Sequence, residues 1–137
     1  MFRGLVFGMT DRMPYGGNTN PAMWQFWDSI GLVDSEMVGF WDPVPAVNTS
    51  VPGVYATAYI TGSRRALVCV ASWAPSTVAV TLSFNWARLG LDPAHVSQLR
   101  APAIAGVQAA ATYPLHAALP LPAASTAGLL LLLEQDA

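Results

Sequence analysis

The 137-residue chain carries six arginines, no lysine and eight acidic residues, a formal net charge of -2, and is 53% hydrophobic but only 10% charged. This balance excludes a basic nucleic-acid surface, and a mean hydropathy of +0.41 excludes a disordered chain. An exterior so poor in charge belongs either to a membrane protein or to a domain that meets a partner over part of its surface.

Run length decides against the membrane, because a spanning helix needs about 20 uninterrupted apolar residues. The longest apolar stretch, residues 128–133, is closed by Glu134 and Asp136 and preceded by Pro120 and Pro122, so it reads as a buried strand. Gly4, Gly8 and Asp11 interrupt the amino-terminal apolar residues too early for a secretory segment, and no targeting signal fixes a compartment. The lone cysteine, Cys69, reads as a small buried hydrophobe.

In chain order, residues 3–10 form a short apolar run expected as a buried strand, and residues 11–20 form a polar, glycine-rich loop. Asn20 as N-cap, Pro21 in the first turn and Gly31 as a left-handed stop predict a helix over residues 21–30. Met23, Trp24, Trp27 and Ile30 share one face of it, and a helix this short needs that face packed. From residue 37 the period changes, and residues 37–41 read as a strand ending at Asp42-Pro43.

Residues 54–61 alternate cleanly, with Val54, Ala56, Ala58 and Ile60 inward and Tyr55, Thr57, Tyr59 and Thr61 on the opposite face. Residues 62–65 make a hairpin connection to a central strand over residues 66–73, which a turn at residues 74–76 joins to a further hairpin strand over residues 77–84. Residues 85–90 predict one capped helical turn, and residues 96–99, 106–108, 119–121 and 129–134 are weaker strand candidates. Eleven glycines and eleven prolines punctuate these short elements. The expected fold is mainly β, an antiparallel two-sheet sandwich or barrel, with the opening strand, loop and helix left over as half of a parallel β/α unit.

No nucleophile elbow, phosphate-binding loop, dinucleotide fingerprint or paired cysteine motif is present. His95 and His116 lie in separate loop-like stretches without ligand-spaced partners, so no metal and no cofactor is expected. Asp34 and Glu36 would stand roughly 7 Å apart if extended, a separation glycosidases use, although solvated acids after a helix are ordinary. Asp11 and Arg12 either pair locally or face a ligand. Tyr55 and Tyr59, about 13 Å apart along one strand face, fit either stacking against successive sugar rings or cross-strand packing. Trp24, Trp27, Trp41, Trp73 and Trp86, each next to a turn, bring large areas to bury and are expected to seal interfaces between layers, with Trp24, Trp27 and Trp41 the interface candidates.

The segments Arg3-Gly4-Leu5-Val6-Phe7-Gly8-Met9-Thr10-Asp11-Arg12, Met23-Trp24-Gln25-Phe26-Trp27-Asp28 and Glu36-Met37-Val38-Gly39-Phe40-Trp41-Asp42-Pro43 resemble the carboxy-terminal part of bacterial glycoside-hydrolase-like proteins with similarity to β-N-acetylgalactosaminidases. The similarity continues through Ala71-Ser72-Trp73-Ala74, residues 85–91 and residues 101–104 with Gly106 and Gln108. The resemblance implies a catalytic (β/α) barrel followed by a β-sandwich that packs against it. On that basis residues 1–35 are the end of the barrel, residues 36–137 are the sandwich, and the barrel's catalytic residues lie outside this chain. The implied role is a non-catalytic domain whose partner is the barrel. Two alternatives stand beside it: a carbohydrate-binding module that stacks sugars on Tyr55, Tyr59 or an exposed tryptophan, and an interaction domain that self-associates through the Trp24 and Trp27 face.

Overall fold

The computed structural model describes residues 2–9, 20–62, 64–124 and 127–136. The chain opens with a short helix, α1 (Phe2–Val6), where a strand was expected. Phe2, Leu5 and Val6 stand three and four apart, so a single helical turn buries all three on one side. The strand-loop-helix order of a β/α unit is therefore not what this segment forms. Asp11 and Arg12, with the rest of the loop that follows, lie outside the described residues.

The second helix, α2 (Pro21–Ile30), has the caps its sequence predicts: Asn20 Oδ1 accepts from the Met23 amide at 3.1 Å, and Gly31 ends the helix at φ +70°. At its carboxy end Arg65 Nη2 donates to the Ile30 carbonyl at 3.2 Å, satisfying one acceptor that the helix leaves open. A 3-10 turn (Leu32–Asp34) leads into β1 (Glu36–Val38), which stops before Phe40 and Trp41. The chain continues through β2 (Val47–Thr49), β3 (Val54–Ile60), β4 (Arg65–Ser72), β5 (Val78–Val80), β6 (Leu82–Phe84), α3 (Trp86–Leu89), β7 (Gln98–Ala101), β8 (Ala111–Pro114), β9 (Leu119–Leu121) and β10 (Gly128–Glu134). The capped turn expected after residue 84 is α3, where Asn85 Oδ1 accepts from the Arg88 amide at 3.0 Å.

Six strands make one antiparallel sheet in the order β1-β3-β4-β10-β7-β8, and β2–β6 and β5–β9 make two ribbons. Period-two alternation explains why β4 and β10 read as unbroken apolar runs. Ala66, Val68 and Val70 of β4, with Leu131 and Leu133 of β10, pack under the ribbons' Val47, Val80, Leu82, Leu119 and Leu121. Leu67, Cys69 and Ala71, with Leu130 and Leu132, point the other way into a second cluster closed by Phe2, Leu5 and Val6 of α1 and by Met23, Trp27 and Ile30 of α2. The fold is mainly antiparallel β and sandwich-like: one large sheet with strand ribbons and α3 on one face and α1 and α2 on the other.

The expected hairpin between residues 66–73 and 77–84 does not form. Both edges of β4 are taken, by β3 with Tyr55 opposite Ala71 and by β10 with Leu131 opposite Val68. Residues 77–84 break between Val80 and Leu82 instead, one half pairing with β9 and the other with β2. Where β10 continues past its pairing with β7 at Leu132, the Gln108 side chain replaces a strand: its Oε1 accepts from the Leu130 amide at 3.0 Å and its Nε2 donates to the Leu130 carbonyl at 2.9 Å. Gln108→Ala is expected to lower stability by about 1–3 kcal/mol, because three backbone groups, the Leu130 amide and carbonyl and the Pro102 carbonyl, lose this partner. Urea titration against the parent chain measures it, and an unchanged midpoint would mean that water replaces the amide at no cost.

Candidate functional site

Five aromatic side chains from four separate segments meet on the helix-covered side of the sheet, where β3 begins and β4 ends. Phe7 follows α1, Phe40 and Trp41 follow β1, Tyr55 stands at the start of β3, and Trp73 lies just past β4. Phe7 stacks on Trp41 with ring centroids 6.0 Å apart and meets Phe40 edge-on at 5.4 Å. Phe40 lies 4.4 Å from Tyr55, whose ring meets the edge of Trp73 at 5.5 Å. The rings stay open to solvent: Phe7 and Trp41 are each 53% exposed, and Tyr55 and Trp73 are each 37% exposed.

Local structure holds this patch in place. The Trp41 indole folds back onto Gly39, where a Cβ would stand 2.6 Å from the ring, so residue 39 accepts no side chain without moving the tryptophan. Arg3 donates from Nη2 to the Ser72 carbonyl at 2.9 Å, and its guanidinium carbon sits 4.8 Å from the Trp73 ring centroid. Adjoining the patch, a cleft of about 460 Å³ is lined by Phe40 and Tyr55 together with Asn48, Ser50 and Pro52.

Among the residues singled out from sequence, Trp41 and Tyr55 fall in this patch. Tyr59 does not: it is 3% exposed, its hydroxyl donates to the Leu5 carbonyl, and no ligand reaches it. Neighbouring Thr57 donates to the Val6 carbonyl at 2.6 Å, so the supposed polar face of β3 is buried at Thr57 and Tyr59 and serves the open end of α1 there. Trp27 is likewise buried, at 4%, and Trp24 is half-buried. Met23, Trp27 and Ile30 of the helix face expected to pack on a partner are buried by this same chain, and Trp24 is left half open.

Phe7 was not singled out from sequence, and Trp73 only as one of five tryptophans expected to seal layers, not as a site residue. Their signal was their position, each a large aromatic beside the end of an apolar segment, and it became readable only once those ends were adjacent.

Burial pushes the Cys69 thiol and the Tyr59 phenol up, so both stay neutral near pH 7 and Cys69 is no nucleophile. Glu36, one of the two spaced carboxylates, is held by Arg88 at 2.8 Å, with Asp42 3.9 Å from the same guanidinium, while Asp34 stands exposed in the 3-10 turn. His95 has a carboxylate neighbour that sequence reading missed: its Nδ1 lies 3.0 Å from Asp92 Oδ2, brought close by the 3-10 turn at Pro93–His95. A backbone bond from Ala94, with His95 beside it, holds the Asp92 carboxyl below its usual range. This is a turn cap on the surface. Among the described residues no group of three or more His, Cys, Asp or Glu could hold a metal ion.

A family model described as "Glycoside hydrolase 123, C-terminal domain" matches residues 19–134. The chain belongs to this family. The glycoside hydrolase 123 C-terminal domain match takes in α2, every strand and four of the five patch aromatics, while α1 and Phe7 precede it. It also runs across the boundary expected between residues 35 and 36. No curated protein and no solved structure matches the chain.

Proposed function

We propose that the chain is a non-catalytic accessory domain that packs on a catalytic barrel domain and supports it, with the aromatic patch as the contact. The observation that carries this reading is the contiguous exposure of Phe7, Trp41, Tyr55 and Trp73 in a chain whose family is defined as a C-terminal domain of a glycoside hydrolase. Singly exposed hydrophobic residues are ordinary, but several in mutual ring contact are the mark of a surface that gets covered. Aromatic residues also carry much of the energy in interfaces. Among the described residues no acidic side chain is in ion-pair or ring contact with the patch, and Arg3 is already committed to Ser72 and Trp73.

The test has two parts. The chain alone, assayed on chromogenic glycosides, is expected to show no turnover, and robust hydrolysis would overturn the non-catalytic role. Supplied in trans with a glycoside hydrolase 123 catalytic domain, it is expected to co-purify, with Phe7→Ser and Trp41→Ser each weakening the association by about tenfold or more. The substituted side chains are half exposed, so the variants should fold. Association that ignores both substitutions, or none at all, refutes packing through this patch.

A further inference from the structure

We infer that the cleft between Tyr55 and Asn48 is a binding site for a neutral oligosaccharide. Its lining carries the argument. Among the described residues no charged side chain lines it, which leaves a phosphate, a carboxylated sugar or a charged peptide without a counter-charge from them. What lines it is apolar and polar at once. Phe40 and Tyr55, at 4.4 Å and tilted by 34°, form an aromatic wall, and Pro52 extends the apolar surface.

The lining also holds Asn48, exposed and with its side-chain amide free of any hydrogen bond to another described residue, and Ser50, whose Oγ accepts from the Thr81 amide at 2.9 Å and keeps its own proton to donate. Thr49 is not available, since its hydroxyl donates to the Val54 carbonyl at 2.6 Å. A pyranose ring has the matching chemistry: one face of C-H groups for the aromatic wall, and equatorial hydroxyls that both donate and accept for an amide and a serine. The cleft volume of about 460 Å³ falls within the roughly 300–1,000 Å³ of small-ligand sites and holds a few sugar rings.

The inference adds a ligand to the accessory domain proposed above; its wall residues Phe40 and Tyr55 belong to the patch proposed as the packing contact, whereas Asn48 and Ser50 lie outside it, so Asn48 is the residue that separates the two readings. Calorimetric titration of the chain with chitohexaose, laminarihexaose and, as the charged control, a galacturonic acid hexamer tests it. At least one neutral hexamer is expected to bind. Asn48→Ala and Tyr55→Ala are each expected to weaken that binding by about fivefold or more, while Asn48→Ala leaves association with the catalytic domain unchanged. No binding of either neutral hexamer at millimolar concentration, binding indifferent to both substitutions, or equally strong binding of the charged control overturns the site. An unaltered thermal midpoint for Asn48→Ala keeps a loss of affinity from being a loss of fold.

Discussion

Leu131→Ala is expected to lower the unfolding free energy by about 3–4 kcal/mol. Leu131 is fully buried in the middle of β10, opposite Val68 of β4, and its side chain enters the cluster under the two ribbons. Truncation removes the transfer free energy of the lost carbons and leaves a cavity that a sheet paired on both sides is slow to fill. Leu129, two residues earlier on the same strand and only partly buried, provides the control. Its alanine variant should lose about 1 kcal/mol or less per buried methylene equivalent. Against a total stability of about 5–15 kcal/mol, the Leu131 loss should move the urea midpoint far with little change in slope. A loss below about 1 kcal/mol for Leu131→Ala would mean that the ribbons do not close over β10 in solution.

Gly128→Val is expected to undock α1 and to cost about 3 kcal/mol or more. A Cβ at residue 128 would stand 2.4 Å from Phe2 Cγ and 2.6 Å from the Val70 carbonyl oxygen. The carbonyl cannot retreat, because Gly128 pairs with Ala71 in the β4 ladder, so Phe2 and its helix must move. The second cluster then loses its lid, and with it the partners of Tyr59, Thr57 and Cys69, all of which bond to α1 carbonyls. Cys69 makes the movement measurable. In the parent chain the thiol is fully buried, so a water-soluble disulfide reagent should label it only on unfolding. In Gly128→Val it should be labelled under native conditions, at urea concentrations well below the global transition. Retained stability together with an unreactive thiol would show that α1 does not seat on β10.

Helix α2 was fully legible in sequence because its signals are local: a capping asparagine, a first-turn proline and a glycine stop all act within one turn of where they stand. The strand at residues 54–60 and the apolar run of β10 were legible for the same reason, since alternation and burial are written residue by residue. The segment at residues 2–6 was misread, although Phe2, Leu5 and Val6 already had helical spacing. A run that short satisfies either period, and the choice fell to what lay beneath it.

Other outcomes depended on neighbours far along the chain. Whether residues 77–84 would pair with β4 turned on competition from β10, which offers seven register partners to the same edge. Whether Tyr59 faced water turned on α1, which brought carbonyls needing donors and so converted an apparently polar strand face into core. Tyr55, on the same face, stayed exposed because α1 ends before reaching it.

Composition and period were thus enough for the class of fold, the capped turns and the apolar strands, since each follows from interactions spanning a few residues. The aromatic patch and the neutral cleft gather residues 7, 40–41, 48–55 and 73, and local preferences are silent on which distant segments become neighbours. That assignment came from burying both faces of the six-stranded sheet at once, a requirement that only the assembled chain can satisfy.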